Sequence, residues 1–181
     1  MQKYILIAIT ALAVWWFTST PSIEAVTLPN GSYAYPGYTF SNAEPFELEA
    51  RVLSVKNYGS GRESELSPTD LALGWGRMRD DDVVERIEVS QRGRWYHWRT
   101  EAYPIPHTEI QHSSANMHMV PANETVARAL ARVDEADQIR IVGQLVDISA
   151  GDGWRWRSSR SRTDSGNGAC EQILLERIDW L

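Results

Sequence analysis

Cysteine is nearly absent: the 181 residues contain one, Cys170, so no disulfide can form within the chain and the fold must rest on packing. Lysine is almost missing too. Sixteen of the eighteen basic residues are arginines, the exceptions being Lys3 and Lys56. Arginine suits bidentate carboxylate contacts and aromatic stacking, although a GC-rich genome gives the same bias. There is no excess of positive charge. Twenty-four acids against eighteen bases leave a net charge of −6, which steers the chain toward neither nucleic acid nor an anionic lipid surface. No apolar run reaches the roughly 20 residues of a spanning helix. Phosphate loop, dinucleotide fingerprint, Gly-x-Ser-x-Gly and His-Glu-x-x-His are all lacking, so no familiar catalytic signature marks an enzyme. No internal repeat is visible.

What remains is 43% hydrophobic and rich in tryptophan, with eight of them, as expected of one globular domain. Met1-Gln2-Lys3 precedes Tyr4 to Phe17, an apolar stretch broken only by Thr10. That is the pattern of an export signal, with a cleavage position after Ile23-Glu24-Ala25. Trp15, Trp16 and Phe17 favour a membrane interface, so residues 4–17 serve alternatively as an uncleaved anchor. Residues 1–25 thus read as leader or anchor, and the expected location is periplasmic, secreted, or tethered to the inner membrane facing the periplasm. Residues 26–45, with Pro29, Gly31, Pro36 and Gly37, read as a linker or arm. Residues 46–181 make a single domain.

Within that domain Phe46, Leu48, Ala50 and Val52 alternate with charged residues, predicting a strand whose phase shifts at Leu53 through a bulge near Val52. Ser67-Pro68-Thr69-Asp70 predicts a capped helix ending near Gly74. Asp80 to Ile87 predicts a short helical turn with Val83, Val84 and Ile87 inward. Segments 87–90 and 94–99 flank a glycine-containing loop and predict a hairpin. Asn123 caps a helix on which Val126, Ala129, Leu130 and Val133 share one face. Segments 138–149 and 154–158 form a second hairpin around Gly151-Asp152-Gly153, residues 161–168 a loop, and residues 169–180 a last strand. The predicted class is mainly β with short helices.

Strand, hairpin, helix, hairpin and strand in that order resemble the oligonucleotide/oligosaccharide-binding (OB) fold, which implies a small five-stranded β-barrel carrying an inserted loop and helix region between Tyr103 and Ala122. A second resemblance rests on Asp70-Leu-Ala-Leu-Gly-Trp-Gly76, His112-Ser-Ser-Ala-Asn-Met-His118, Gly153-Trp-Arg-Trp-Arg-Ser-Ser159 and Gly168-Ala-Cys-Glu171. These phrases look like a family of exported bacterial proteins with no assigned activity. That implies a bacterial origin and carries over no catalytic residue; the sequons at Asn30 and Asn123 are then incidental.

Three constellations could carry chemistry. The first is Arg94-Trp-Tyr-His-Trp-Arg99 with Trp154-Arg-Trp-Arg157. Strand alternation puts Trp95 and His97 opposite Tyr96 and Trp98, and Trp154 and Trp156 opposite Arg155 and Arg157. Tyr96, Trp98, Arg155 and Arg157 are the candidate ligand-binding residues, since aromatic plates beside guanidinium groups stack on planar or sugar rings. The same tryptophans can equally be core, their arginines paired with the chain's many acids. The second is a soft-ligand set, His107, His112 and Met117 with His118 and Met119, suited to copper; on a strand His118 points away from Met117 and Met119. The third is a nucleophile set of Cys170, His118 or His112, and Asp164 or Glu171, with Arg160 and Arg162 able to depress the thiol pKa.

The leading expectation is an exported, non-catalytic barrel that binds an envelope protein or glycan through a Trp/Arg face, with no cofactor and no nucleic acid. Its rivals are a Cys170-dependent thiol enzyme of the envelope and a copper-binding protein.

Overall fold

The computed structural model describes residues 23–161, 164, 166 and 169–181; the export-signal run at 4–17 and Arg162 lie outside the described residues. The segment read as an arm carries turn formers, and each one turns the chain. Around Asn30-Gly31, strand β1 (Val26–Thr27) folds antiparallel onto β2 (Tyr33–Tyr35), and Pro36-Gly37 folds β2 onto β3 (Tyr38–Asn57). Upstream, Ala25 donates its N–H to the Ala122 carbonyl at 2.8 Å.

Strand β3 starts eight residues before Phe46, the first residue of the alternating pattern, and its length closes the architecture. Phe46, Leu48, Ala50 and Val52 are buried while Glu47 and Glu49 face water. The register breaks between Val52 and Ser54, at the expected bulge, so Val52 points into the central core and Leu53 into a separate cluster.

Helix α1 (Arg62–Leu66) ends at Ser67, whose N–H bonds the Glu63 carbonyl. Strand β4 (Thr69–Gly74) follows where the sequence predicts a helix. All six of its residues are buried, which erases the alternation that marks a half-exposed strand. A 3₁₀ turn at Gly76–Arg79 buries Met78, and helix α2 (Asp81–Val84) with the residues after it buries Val83 and Ile87 and half-buries Val84, the three the apolar spacing turns inward. Strands β5 (Glu88–Arg92) and β6 (Trp95–Arg99) form the predicted hairpin, but as a separate two-stranded sheet.

Helix α3 (His107–His112) leads into β7 (Ser114–Pro121), a central strand in the segment read as an insertion. Helix α4 (Glu124–Leu130) is capped by Asn123, whose side chain accepts from Val126 N at 3.0 Å. Strands β8 (Gln138–Ala150) and β9 (Arg155–Trp156) make the second predicted hairpin, and β10 (Glu171–Trp180) completes the chain.

Hydrogen bonding runs β3-β4-β7-β10-β8 and returns to β3, a ring of five strands. β7 and β10 are parallel; the other ring pairs are antiparallel. Leu71, Leu73, Met117, Met119, Ile141 and Ile173 fill the centre, sealed by Val126 and Leu130 of α4. The mainly β class therefore stands, with two of the five ring strands supplied by segments the sequence assigns elsewhere.

Candidate functional site

Side chains on the outer face of β4 and β7 carry an unusual polar load. Asp70 is fully buried, and Asn116 and His118 nearly so. A buried carboxylate is costly unless paired, and the β5–β6 hairpin supplies the pair. Arg94 Nη1 lies 2.7 Å from Asp70 Oδ1. The hairpin loop is Gly93-Arg94, both at positive φ, 57° and 69°, which is a type I′ turn. Arginine is an unusual occupant of that conformation. It is fixed there by the Asp70 pair, by a stack on the Tyr58 ring at 4.0 Å, and by Asn116 Nδ2 donating to its carbonyl at 3.2 Å. Gln91 adds a 2.6 Å bond to Asn116 Oδ1. His118 Nδ1 sits 2.9 Å from Asp70 Oδ1, poorly aligned for a hydrogen bond, with its ring 4.8 Å from that of Trp156.

Beside this anchor, an open cavity of about 390 Å³ lies between β6 and the segment preceding β10, within the range of small-molecule sites. Trp95, Tyr96 and Trp98 give it aromatic surface; the floor is Ser114, Ala115 and Asn116 of β7. Tyr96 is tied to that floor, its hydroxyl donating to the Ser114 carbonyl at 3.0 Å. His112 at the end of α3 and His97 add imidazoles, and Asp164, Cys170 and Glu171 line the opposite side. Four consecutive residues, 95 to 98, contribute from both faces of β6, so the strand meets the cavity along its edge.

The opposite side is organised by Ser159. Its N–H donates to the Cys170 carbonyl at 3.0 Å, and its hydroxyl bonds Asp164 Oδ2 at 2.7 Å. Asp164 is thus part of the loop's own scaffold. Burial, with the nearby carboxylates of Glu171, Asp70 and Asp164, pushes the Cys170 thiol up to about 12, far from the thiolate a nucleophile requires.

The cavity gathers Tyr96, Trp98, His112, Asp164, Cys170 and Glu171 from the sequence-derived candidates, so the nucleophile set in its His112 form lines one cavity. It does not gather His118, which is sealed behind Asp70 and Trp156, so Cys170, His118 and Asp164 do not share one site. Arg155 and Arg157 are exposed and make no ion pair among the described residues, but they do not line the cavity. Trp156, on the other face of β9, and Trp154, just before it, pack on the cluster of Phe40, Val146 and Leu174. Guanidinium groups do stack on these indoles, but they come from Arg62, 4.6 Å from the Trp154 ring centre, and Arg94, 5.6 Å from that of Trp156.

The soft-ligand set is also dispersed. His107 packs with Trp98 and Tyr103 at 5.3 and 5.5 Å, His112 faces the cavity, and Met117 is buried in the central core. Among the described residues no group of three or more His, Cys, Asp or Glu side chains is arranged to hold a metal ion, and no helix is long and apolar enough to cross a membrane.

Sequence reasoning missed Asp70, Arg94 and Asn116 as the device that fixes the hairpin. One signal was present: an aspartate directly before Leu-Ala-Leu-Gly, where a buried strand leaves no place for a solvated charge. No family model, no curated protein and no solved structure matches this chain.

Proposed function

We propose that this chain is a non-catalytic binding module of the cell envelope, built on an OB-like barrel, that takes its partner in the cavity beside β6. The observation that carries the reading is the cavity itself: aromatic surface from Trp95, Tyr96 and Trp98 beside fixed polar groups on β7, anchored by a buried ion pair. Three features support the barrel: the ring order, the single parallel pair between β7 and β10, and a helix joining β7 to β8. In OB folds the second and third ring strands and two neighbouring loops form the binding side; here β5–β6 stands over those strands and adds a wall. The export pattern at residues 4–17 supports an envelope location. A thiol whose proton is held up to about 12 argues for binding over thiol chemistry, although His112 lines the same cavity as Cys170.

Immobilised full-length chain tests the reading by retaining envelope material. Retention lost in Trp95→Ala and kept in the double variant Arg155→Ala/Arg157→Ala supports the cavity. Retention lost only in the arginine variant moves the site to β9, and no retention by the unaltered chain refutes a binding role.

A further inference from the structure

We infer that the cavity receives an extended peptide segment, which adds as a strand to the free edge of β6; this rests on the binding-module reading above. The argument begins at the hairpin loop. A two-residue turn at Gly93-Arg94 makes Arg92 and Trp95 the closing pair, and in an antiparallel ladder that pair exchanges both of its hydrogen bonds. Alternation then bonds Ser90 to His97 and Glu88 to Arg99. It leaves Gln91 with Tyr96, and Val89 with Trp98, as the pairs that do not exchange bonds. The N–H and C=O groups of Tyr96 and Trp98 therefore point away from β5, toward the side of β6 that has no neighbouring strand among the described residues.

Those are the residues at the cavity. Their main-chain groups, spaced roughly 7 Å apart along the strand, take no hydrogen bond from any described residue. An unpaired edge is normally blunted or covered, whereas this one faces a cavity walled on its far side by Cys170 and Glu171. The recognition chemistry is main-chain pairing for affinity, with alternate side chains of the guest selected by the cavity. Trp95, 40% exposed, extends the apolar surface at the hairpin's tip.

The test leaves the protein unaltered and changes the guest. A displayed library of short linear peptides is selected on the full chain, and the best peptide is remade with alternate backbone amides N-methylated. Two registers of methylation are compared. The expected result is a loss of about tenfold or more for one register, from two broken main-chain bonds, and little loss for the other. Amide resonances of Tyr96 and Trp98 shift on binding. Equal tolerance of both registers overturns the inference. If chitotriose or maltotriose shifts those resonances and no selected peptide does, the peptide class falls while the cavity survives as a binding site. Failure of peptides and saccharides alike overturns both readings.

Discussion

Arg94 reaches the carboxylate of Asp70 from a left-handed backbone: the residue that closes the hairpin turn is also the counter-charge of a fully buried acid. Two costs are thereby set against one another. An arginine at positive φ loses about 1–2 kcal/mol relative to glycine, and an unpaired buried aspartate costs about 3–5 kcal/mol.

Arg94→Ala removes the arginine counter-charge of Asp70, leaving it Ser67, Asn116 and His118, and keeps the backbone strain, so it should lower stability by about 3 kcal/mol. Arg94→Gly removes the same counter-charge but relieves the strain. It should be the more stable of the two variants by about 1 kcal/mol, a difference of a few degrees in Tm for a chain of this length. Equal melting temperatures would show that the turn carries no strain.

How far the fold was legible depends on whether a segment keeps one face wet. β3 is legible from Phe46, Leu48 and Ala50 because Glu47 and Glu49 alternate with them, and α4 because Asn123 caps an apolar stripe. β4 and β7 are buried on both faces, so no period survives, and Ser67-Pro68 has the pattern of a helix start where it marks a helix end. The candidate site was half legible. Tyr96 and Trp98 were identifiable as an aromatic strand near a glycine turn. That Arg155 and Arg157 stay out of the cavity follows from β9 pairing with β8, in a different sheet from β5–β6, a relation that no local pattern encodes.

Gly143 gives a prediction about the ring itself. It pairs with Phe46 on one side and Leu175 on the other, and a Cβ there would stand 2.2 Å from the Leu174 carbonyl oxygen. Backbone on backbone cannot yield as a side-chain tip can. Gly143→Ala should therefore destabilise by about 3 kcal/mol or more, beyond the usual overpacking cost, as read by chemical denaturation. A neutral outcome would mean β8 and β10 do not approach this closely.

Cys170 sets the alkaline limit. Unfolded, its thiol ionises near pH 9; folded, it holds its proton until about 12, because of burial first and then the neighbouring carboxylates. Between those values the unfolded chain binds fewer protons, so stability falls as pH rises through this window and is intact below it. Buried Tyr35, also pushed up to about 12, adds a second decline beginning near 10. Cys170→Ala should remove the earlier decline and leave the later one. An unchanged melting curve from pH 8 to 10 in both proteins refutes it. For the same reason iodoacetamide at neutral pH should label the native thiol far more slowly than the denatured one.

Arg155 and Arg157 separate surface charge from structure. Both are exposed, Arg155 on β9 and Arg157 just after it, without a described ion-pair partner, whereas Arg62 lies against the Trp154 and Tyr38 rings and pairs with Asp152 at 2.7 Å. Replacing Arg155 and Arg157 together by alanine should leave thermal unfolding within about 0.5 kcal/mol of the parent. Arg62→Ala should lower the melting temperature measurably, because it frees two aromatic rings and one carboxylate at once. The comparison is informative in either order: if the double variant melts lower than Arg62→Ala, β9 is held by its outward-facing arginines, and the indoles facing the Phe40 cluster contribute less than their burial implies.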